Sequence, residues 1–220
     1  MELRKPVDSN RNHHINDRRP QVPVVETLEG RVFMSASPPA GTWDAGDYYW
    51  GGGQRFPLLR ATDEMVVGFE SRRGAPAVVR RLTAPDGPLH GFKLSQWLGK
   101  TIADFVIKKP LGIAKFRVRR RKTDAATGVG WASPGFVSMQ PGGPFRMAMV
   151  DTLFVVLDPA LDPAQVFAHG FTGYSGQDSH FTVHVAKGGV MAIRQANWLR
   201  ENVPGVIEAE ADDWSTFKLL

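Results

Sequence analysis

Large apolar residues recur at every second position in two stretches of the chain, a pattern typical of half-buried β-strands. The alternating positions are Met65, Val67 and Phe69 in the first stretch, and Leu153, Val155 and Leu157 in the second. An Asp opens each stretch, Asp63 in one and Asp151 in the other, and a Gly-Gly pair lies a few residues upstream of both. The match predicts an internal duplication in which each copy begins with a strand of this kind.

The similarity extends downstream of both strands. Pro76 and Pro163 each favour the first turn of a helix. The elements expected after them in each copy are a strand at 104–108 and at 180–185, a helix at 111–122 and at 189–202, and a last strand beginning at Gly128 and at Gly205. The sequence therefore predicts two successive α+β units within residues 42–214.

One of these helices has an ambiguous pattern. Phe116 and Val118 alternate with basic residues in the segment 111–122, which fits a strand about as well as a helix. The equivalent segment 189–202 favours a helix, and the duplication extends that prediction to 111–122.

The first 41 residues differ from the rest. Residues 1–23 are polar and broken by three prolines, so we predict a disordered leader that ends in a Pro-rich linker at 37–41. Residues 28–36 resemble a motif near the N-terminus of exported bacterial surface proteins, Leu-Glu-x-Arg, large apolar residues and Ser-Ala after a basic lead. A short exposed helix is the other interpretation. The resemblance implies a protein that is secreted or held at the cell envelope or surface.

Composition excludes several classes of chemistry. The chain has no Cys, which removes disulfides, thiolate metal sites and cysteine catalysis. It also has no apolar run of the roughly 18–20 residues needed to span a bilayer, so we predict no membrane span. His169, His180 and His184 lack a nearby carboxylate to complete a metal site, and we predict neither a metal nor a cofactor.

Charge is unevenly distributed. Residues 70–122 hold 14 Lys or Arg against 3 Asp or Glu, whereas residues 123–220 hold 5 against 10. Either the two parts attract each other or the basic part attracts an outside anion. A third interpretation is that both are ordinary solvated faces.

Catalytic residue types occur without a catalytic arrangement. Asp178, Ser179 and His180 are consecutive, whereas the members of a triad converge from separate elements. We therefore predict that the chain is not an enzyme.

Three motifs together resemble the propeptide region of subtilisin-like serine proteases. Residues 151–157 are similar to its opening strand, Asp-Glu-Phe-x-Val-x-Phe, and residues 199–210 to the segment Leu-x-x-x-Pro-Gly-Val-x-x-Ala-Glu that joins its second helix to its last strand. Residues 47–52 resemble the Tyr-Tyr-x-Gly-Gly opening of tandem propeptide units. Ala211 stands where the family has Pro, and Asp212 where it has Asn.

The resemblance implies two tandem ferredoxin-like, open-faced α+β sandwiches, at 42–136 and 137–220, after the segment 1–41. It also implies a folding chaperone or active-site inhibitor whose partner is a subtilisin-like catalytic domain, in cis or in trans. A C-terminal tail would enter the protease cleft as an added strand; its residues are Ser215, Thr216, Phe217, Lys218, Leu219 and Leu220. Glu208 and Glu210 would face helix N-termini of the protease, or would simply be solubilising charges.

Two other functions compete with this one. The first is an exported polyanion-binding module that uses the basic segment 108–122. Its candidate anion-binding residues are Lys115, Arg117, Arg119, Arg120, Arg121 and Lys122. This segment lacks interleaved exposed aromatics and any nucleic-acid motif, so we do not expect nucleic acid as the partner. The second is a cell-surface adhesion or scaffold module, suggested by the export motif.

Overall fold

The computed structural model describes residues 38–139 and 144–216, and most of the predicted leader, 1–41, lies outside them. The described residues are mostly β, with 47% in strands and 22% in helices. The strands are β1 (Thr42–Gly51), β2 (Gln54–Phe69), β3 (Lys93–Trp97), β4 (Ile102–Val106), β5 (Val129–Ser138), β6 (Phe145–Leu157), β7 (Phe171–Gln177), β8 (His180–Val185) and β9 (Val206–Thr216). The helices are α1 (Ala75–Thr83), α2 (Ile113–Asp124), α3 (Pro163–Val166) and α4 (Val190–Asn202).

The nine strands found in these residues form one large, curled antiparallel sheet. Its strand order is β3-β4-β2-β5-β6-β8-β7, with β1 added on β2 and β9 on β6. The two longest strands organise the sheet: β2 pairs with β1, β4 and β5, and β6 pairs with β5, β8 and β9.

The predicted fold of two tandem ferredoxin-like sandwiches is wrong, because a single sheet runs through the described residues. The order strand, helix, strand, strand, helix, strand does occur twice, as β2 to β5 and as β6 to β9. We call these the first half and the second half, and we count β1, which pairs with β2, with the first half. They are joined where β5 pairs with β6 at 136–138 and 145–147, and the predicted boundary between 136 and 137 lies inside β5. Alternation in a sequence identifies strands, but it does not show whether a strand edge stays open or pairs with the next element.

Each half has an apolar core between its strands and its helices. Among the buried residues of the first are Met65, Val67, Leu82, Phe105 and Phe116. Those of the second include Leu153, Val155, Val183, Ala196 and Leu199. Two further clusters contain residues of both halves: Val66, Leu98, Ile102, Trp131, Ala148 and Val150 form one, and Leu58, Phe136, Met147, Met149 and Ile193 form the other. Shared burial across the junction explains why the halves do not separate into two sandwiches.

Helix α2 settles the ambiguous segment. Phe116 is fully buried, whereas Val118 is 43% exposed. In a strand these two side chains would share a face, whereas in a helix they lie about 200° apart around the axis.

None of the helices in the described ranges combines the length and apolar character required to cross a bilayer.

Candidate functional site

The second half presents one uncovered side of its sheet. Phe154 in β6 lies opposite Glu210 in β9 and Thr182 in β8. Val156 lies opposite Glu208 and His180 in the same way. Side chains alternate along strands, so these residues share the side facing away from Leu153, Val155 and the helices. We call this surface the open face, and it consists of Thr152, Phe154, Val156, His180, Thr182, His184, Glu208, Glu210 and Asp212.

The open face is apolar at its centre and acidic along β9. Phe154 is 52% exposed, although large aromatic side chains contribute most when buried. Burial raises the pKa of Glu210, the negative charges of Glu208 and Asp213 add to that rise, and Arg200 opposes it. Asp212 accepts a hydrogen bond of 2.7 Å from the Thr152 hydroxyl. Both predicted acidic contacts, Glu208 and Glu210, thus lie on this face beside the exposed ring.

The predicted C-terminal tail begins within the sheet. Ser215 and Thr216 belong to β9 and pair with Met147 and Arg146 of β6. The other tail residues, Phe217, Lys218, Leu219 and Leu220, lie outside the described residues.

The predicted anion-binding residues separate onto two sides of α2. Arg117, Arg120 and Arg121 line a pocket of about 330 Å³ together with Trp43 of β1 and Arg60 of β2. We call this the arginine pocket. The other three, Lys115, Arg119 and Lys122, border a different hollow beside His90. The helical spacing of the basic residues could have revealed this division. No pattern in the sequence points to Trp43 and Arg60, because the pairing of β1 with β2 brings them to the pocket.

The aromatic opening motif connects β1 to α4. Glu201 Oε1 accepts three hydrogen bonds: from Tyr48 Oη over 2.7 Å, from Trp50 Nε1 over 3.2 Å and from Arg55 Nη2 over 2.9 Å. The Arg55 guanidinium also lies 4.8 Å from the centres of both aromatic rings. These donors, the Tyr48 hydroxyl foremost, lower the pKa of Glu201. The motif therefore anchors the first strand of the described fold onto the last helix.

A buried charge cluster lies on β2, β4 and β6. Arg146 donates to both oxygens of Asp63 over 2.9 and 2.8 Å and to Glu64 over 3.0 Å, and the carboxyl group of Asp104 is nearby. Burial raises the pKa of Glu64 to about 8, with Asp104 adding to the rise and Arg146 opposing it. Gly135 leaves the space for this side chain, because a Cβ there would lie 2.3 Å from Glu64 Cδ. The sequence does not reveal this cluster, because nothing in the alternation of apolar residues along the strands marks these charges as buried.

The remaining candidates lie apart. Ser179 Oγ lies 3.2 Å from His180 Nδ1 at the turn between β7 and β8, where Asp178 has a φ of 56°. His169 and His184 are exposed. Within the described ranges, no group of three His, Asp or Glu side chains is placed to hold a metal ion.

No protein-family model, curated protein or solved structure matches this chain. The features that bear on function are therefore the open face, the arginine pocket and the motifs of the sequence.

Proposed function

We propose that this chain is an exported, non-catalytic, propeptide-like region that assists the folding of a subtilisin-like serine protease, inhibits it, or does both. The observation that carries the proposal is the open face, on which Phe154 is 52% exposed between Glu210 and Thr182. An aromatic side chain left half in water at the centre of a sheet is the type of residue that anchors protein interfaces.

The position of residues 199–210, which resemble the propeptide segment between the second helix and the last strand, supports this choice of partner. Leu199 is buried in α4, and the chain then turns at Gly205, whose φ of 86° suits glycine. Strand β9 begins at Val206 and places Glu208 and Glu210 on the open face. The segment that resembles the family is therefore the one that builds the acidic side of the exposed surface.

The charge of the open face fits a surface that presents helix N-termini. Unpaired backbone N–H groups give such termini a partial positive charge, which favours nearby carboxylates. Burying Phe154 against the same partner would supply apolar contact, while Glu208 and Glu210 would fix its orientation.

Titration of the full chain against a panel of subtilisin-like proteases tests the proposal. We expect inhibition by the wild type, and at least a tenfold loss for Phe154→Glu, because a central anchor contributes on the order of 2 kcal/mol or more. The matched control is Met191→Glu, which adds the same charge at a 43% exposed apolar position of α4 away from the open face. An absence of inhibition at micromolar protein, or equal losses for both variants, would contradict docking in trans through this face.

Two further measurements refine the proposal. Deleting 217–220 leaves the paired part of β9 intact, so inhibition lost on this deletion with an unchanged circular dichroism spectrum would assign the blocking role to the tail. Sequencing the DNA downstream tests the role in cis. An open reading frame that continues into Asp, His and Ser protease motifs is expected if the chain precedes its own catalytic domain.

A further inference from the structure

We infer that the arginine pocket binds a tetrahedral oxyanion, a phosphate or sulfate group, either free or carried as an ester. The site lies in the first half, away from the open face, and its ligand goes beyond the proposed interaction with a protease. Its volume of about 330 Å³ is in the range of small-ligand sites.

Positive charge in the pocket is only partly neutralised. Arg60 pairs with Asp47, to which it donates over 2.5 and 3.0 Å. Among the described residues, Arg117, Arg120 and Arg121 form no ion pair within 4.0 Å. They occupy positions i, i+3 and i+4 of α2, so they project from the same side of the helix.

The guanidinium groups in the pocket repel one another. Burial lowers the pKa of Arg120, Asp124 opposes that change, and repulsion by Arg60, Arg121 and Arg117 adds to it. A dianion in the pocket would relieve this repulsion. Planar guanidinium groups with several N–H donors are well suited to phosphate and sulfate oxygens.

Trp43 forms an aromatic wall of the pocket. It lines the pocket and is only 8% exposed. The indole ring is also close to two of the arginines, with Arg60 at 5.9 Å and Arg117 at 6.0 Å from its centre.

Two of the four arginines are held by contacts within the fold. The Asp47 ion pair orients Arg60 from β1, and Asp47 itself is buried. Arg120 Nη1 lies 3.4 Å from the carbonyl oxygen of Ala132, whose own N–H donates to Asp124 over 2.9 Å. These two side chains therefore lose little freedom when the site binds.

Isothermal titration calorimetry of the full chain tests the site, with inorganic phosphate, inorganic sulfate and a sulfated heparin hexasaccharide as probes. Ionic strength is held constant with chloride. We expect at least one probe to bind with a Kd below ~1 mM. Binding of the inorganic ions only would indicate a free anion or small ester, whereas tighter binding of the hexasaccharide would indicate a polymer-borne group.

Matched variants separate the pocket from general charge attraction. Two double variants remove the same charge from opposite sides of α2: Arg117→Gln with Arg121→Gln, and Lys115→Gln with Lys122→Gln. The first pair should weaken binding about tenfold or more, and the second less than about threefold, since only the first pair donates charged hydrogen bonds to the anion. Equal losses for the two double variants, or no binding by the wild type at 10-fold higher probe concentration than the expected Kd, would overturn the inference.

Discussion

The two halves share one order of elements but bury their sheets differently. In the first half, neighbouring residues of β2 are buried on both sides: Val67 lies in the core beneath the helices, and Val66 packs in the cluster with Trp131 and Ala148. In the second half, the equivalent pair in β6 is Val155, which is buried, and Phe154, which is half exposed. The same pattern therefore produces a covered sheet in one half and an open face in the other.

The source of this difference is the junction between the halves. The beginning of β6 contributes Ala148 and Val150 to the cluster that covers Val66. The end of β6 builds the core of the second half, and no corresponding strand follows to cover Phe154 within the described residues. The same order of elements can thus have its sheet covered in one position and exposed in another.

The largest effect should come from a charge in either core. Val67→Asp and Val155→Asp each place a carboxylate at a position beneath the helices that is almost fully buried. An unpaired charge there costs several kcal/mol, comparable with the total stability of about 5–15 kcal/mol, so both variants should unfold. Circular dichroism and thermal melting measure this. A melting curve like that of the wild type for either variant would show that its strand is placed in the wrong phase.

A second pair of variants addresses the difference between the halves directly. Val66→Asp should destabilise the protein by several kcal/mol because Val66 is fully buried, whereas Phe154→Asp should cost only about 1–2 kcal/mol because half of the ring is already in water. Urea unfolding of the two proteins gives the comparison. Similar losses of stability in both would mean that the second half is covered like the first.

The pH dependence of stability should report the buried cluster of the first half. The pKa of Glu64 is about 8 in the fold and 4.5 ordinarily, so the folded state keeps a proton that the unfolded chain releases between these values. The protonated Glu64 therefore makes its full contribution to the free energy of unfolding below about pH 4.5. That contribution is lost as the pH rises toward 8, by on the order of a few kcal/mol.

Glu64→Gln should flatten this slope, because the amide can still accept from Arg146 but does not ionise. Unfolding free energies measured by urea titration between pH 5 and 8 provide the test. The exposed Glu70→Gln is the control and should keep the slope of the wild type. An unchanged slope for Glu64→Gln would show that the carboxylate ionises normally in the fold.

The sequence predicted individual elements better than their assembly. The alternation predicted β2 and β6, because large apolar residues recur at every second position from Met65 and from Leu153. Pro163 marked the start of α3, where Asp162 caps the helix by accepting a 2.9 Å hydrogen bond from the Ala164 N–H. The single curled sheet could not be predicted, since the β5–β6 pairing depends on tertiary contacts. The arginine pocket was predicted in part: the basic residues of α2 were identified, but Arg60 meets them only through the fold.

The smallest effect concerns the contact that links the halves through β1 and α4. Arg55 and Glu201 form an ion pair of 2.9 Å at the surface, with Tyr48 and Trp50 donating to the same carboxylate. Exposed pairs of this kind contribute about 0.2–1 kcal/mol, because solvent screens the charges and ordering the side chains costs entropy. A double-mutant cycle with Arg55→Met and Glu201→Gln should therefore give a coupling energy within that range, and the coupling should shrink in high salt. A much larger, salt-independent coupling would contradict this, because it would mean that the aromatic residues shield the Arg55–Glu201 pair from solvent.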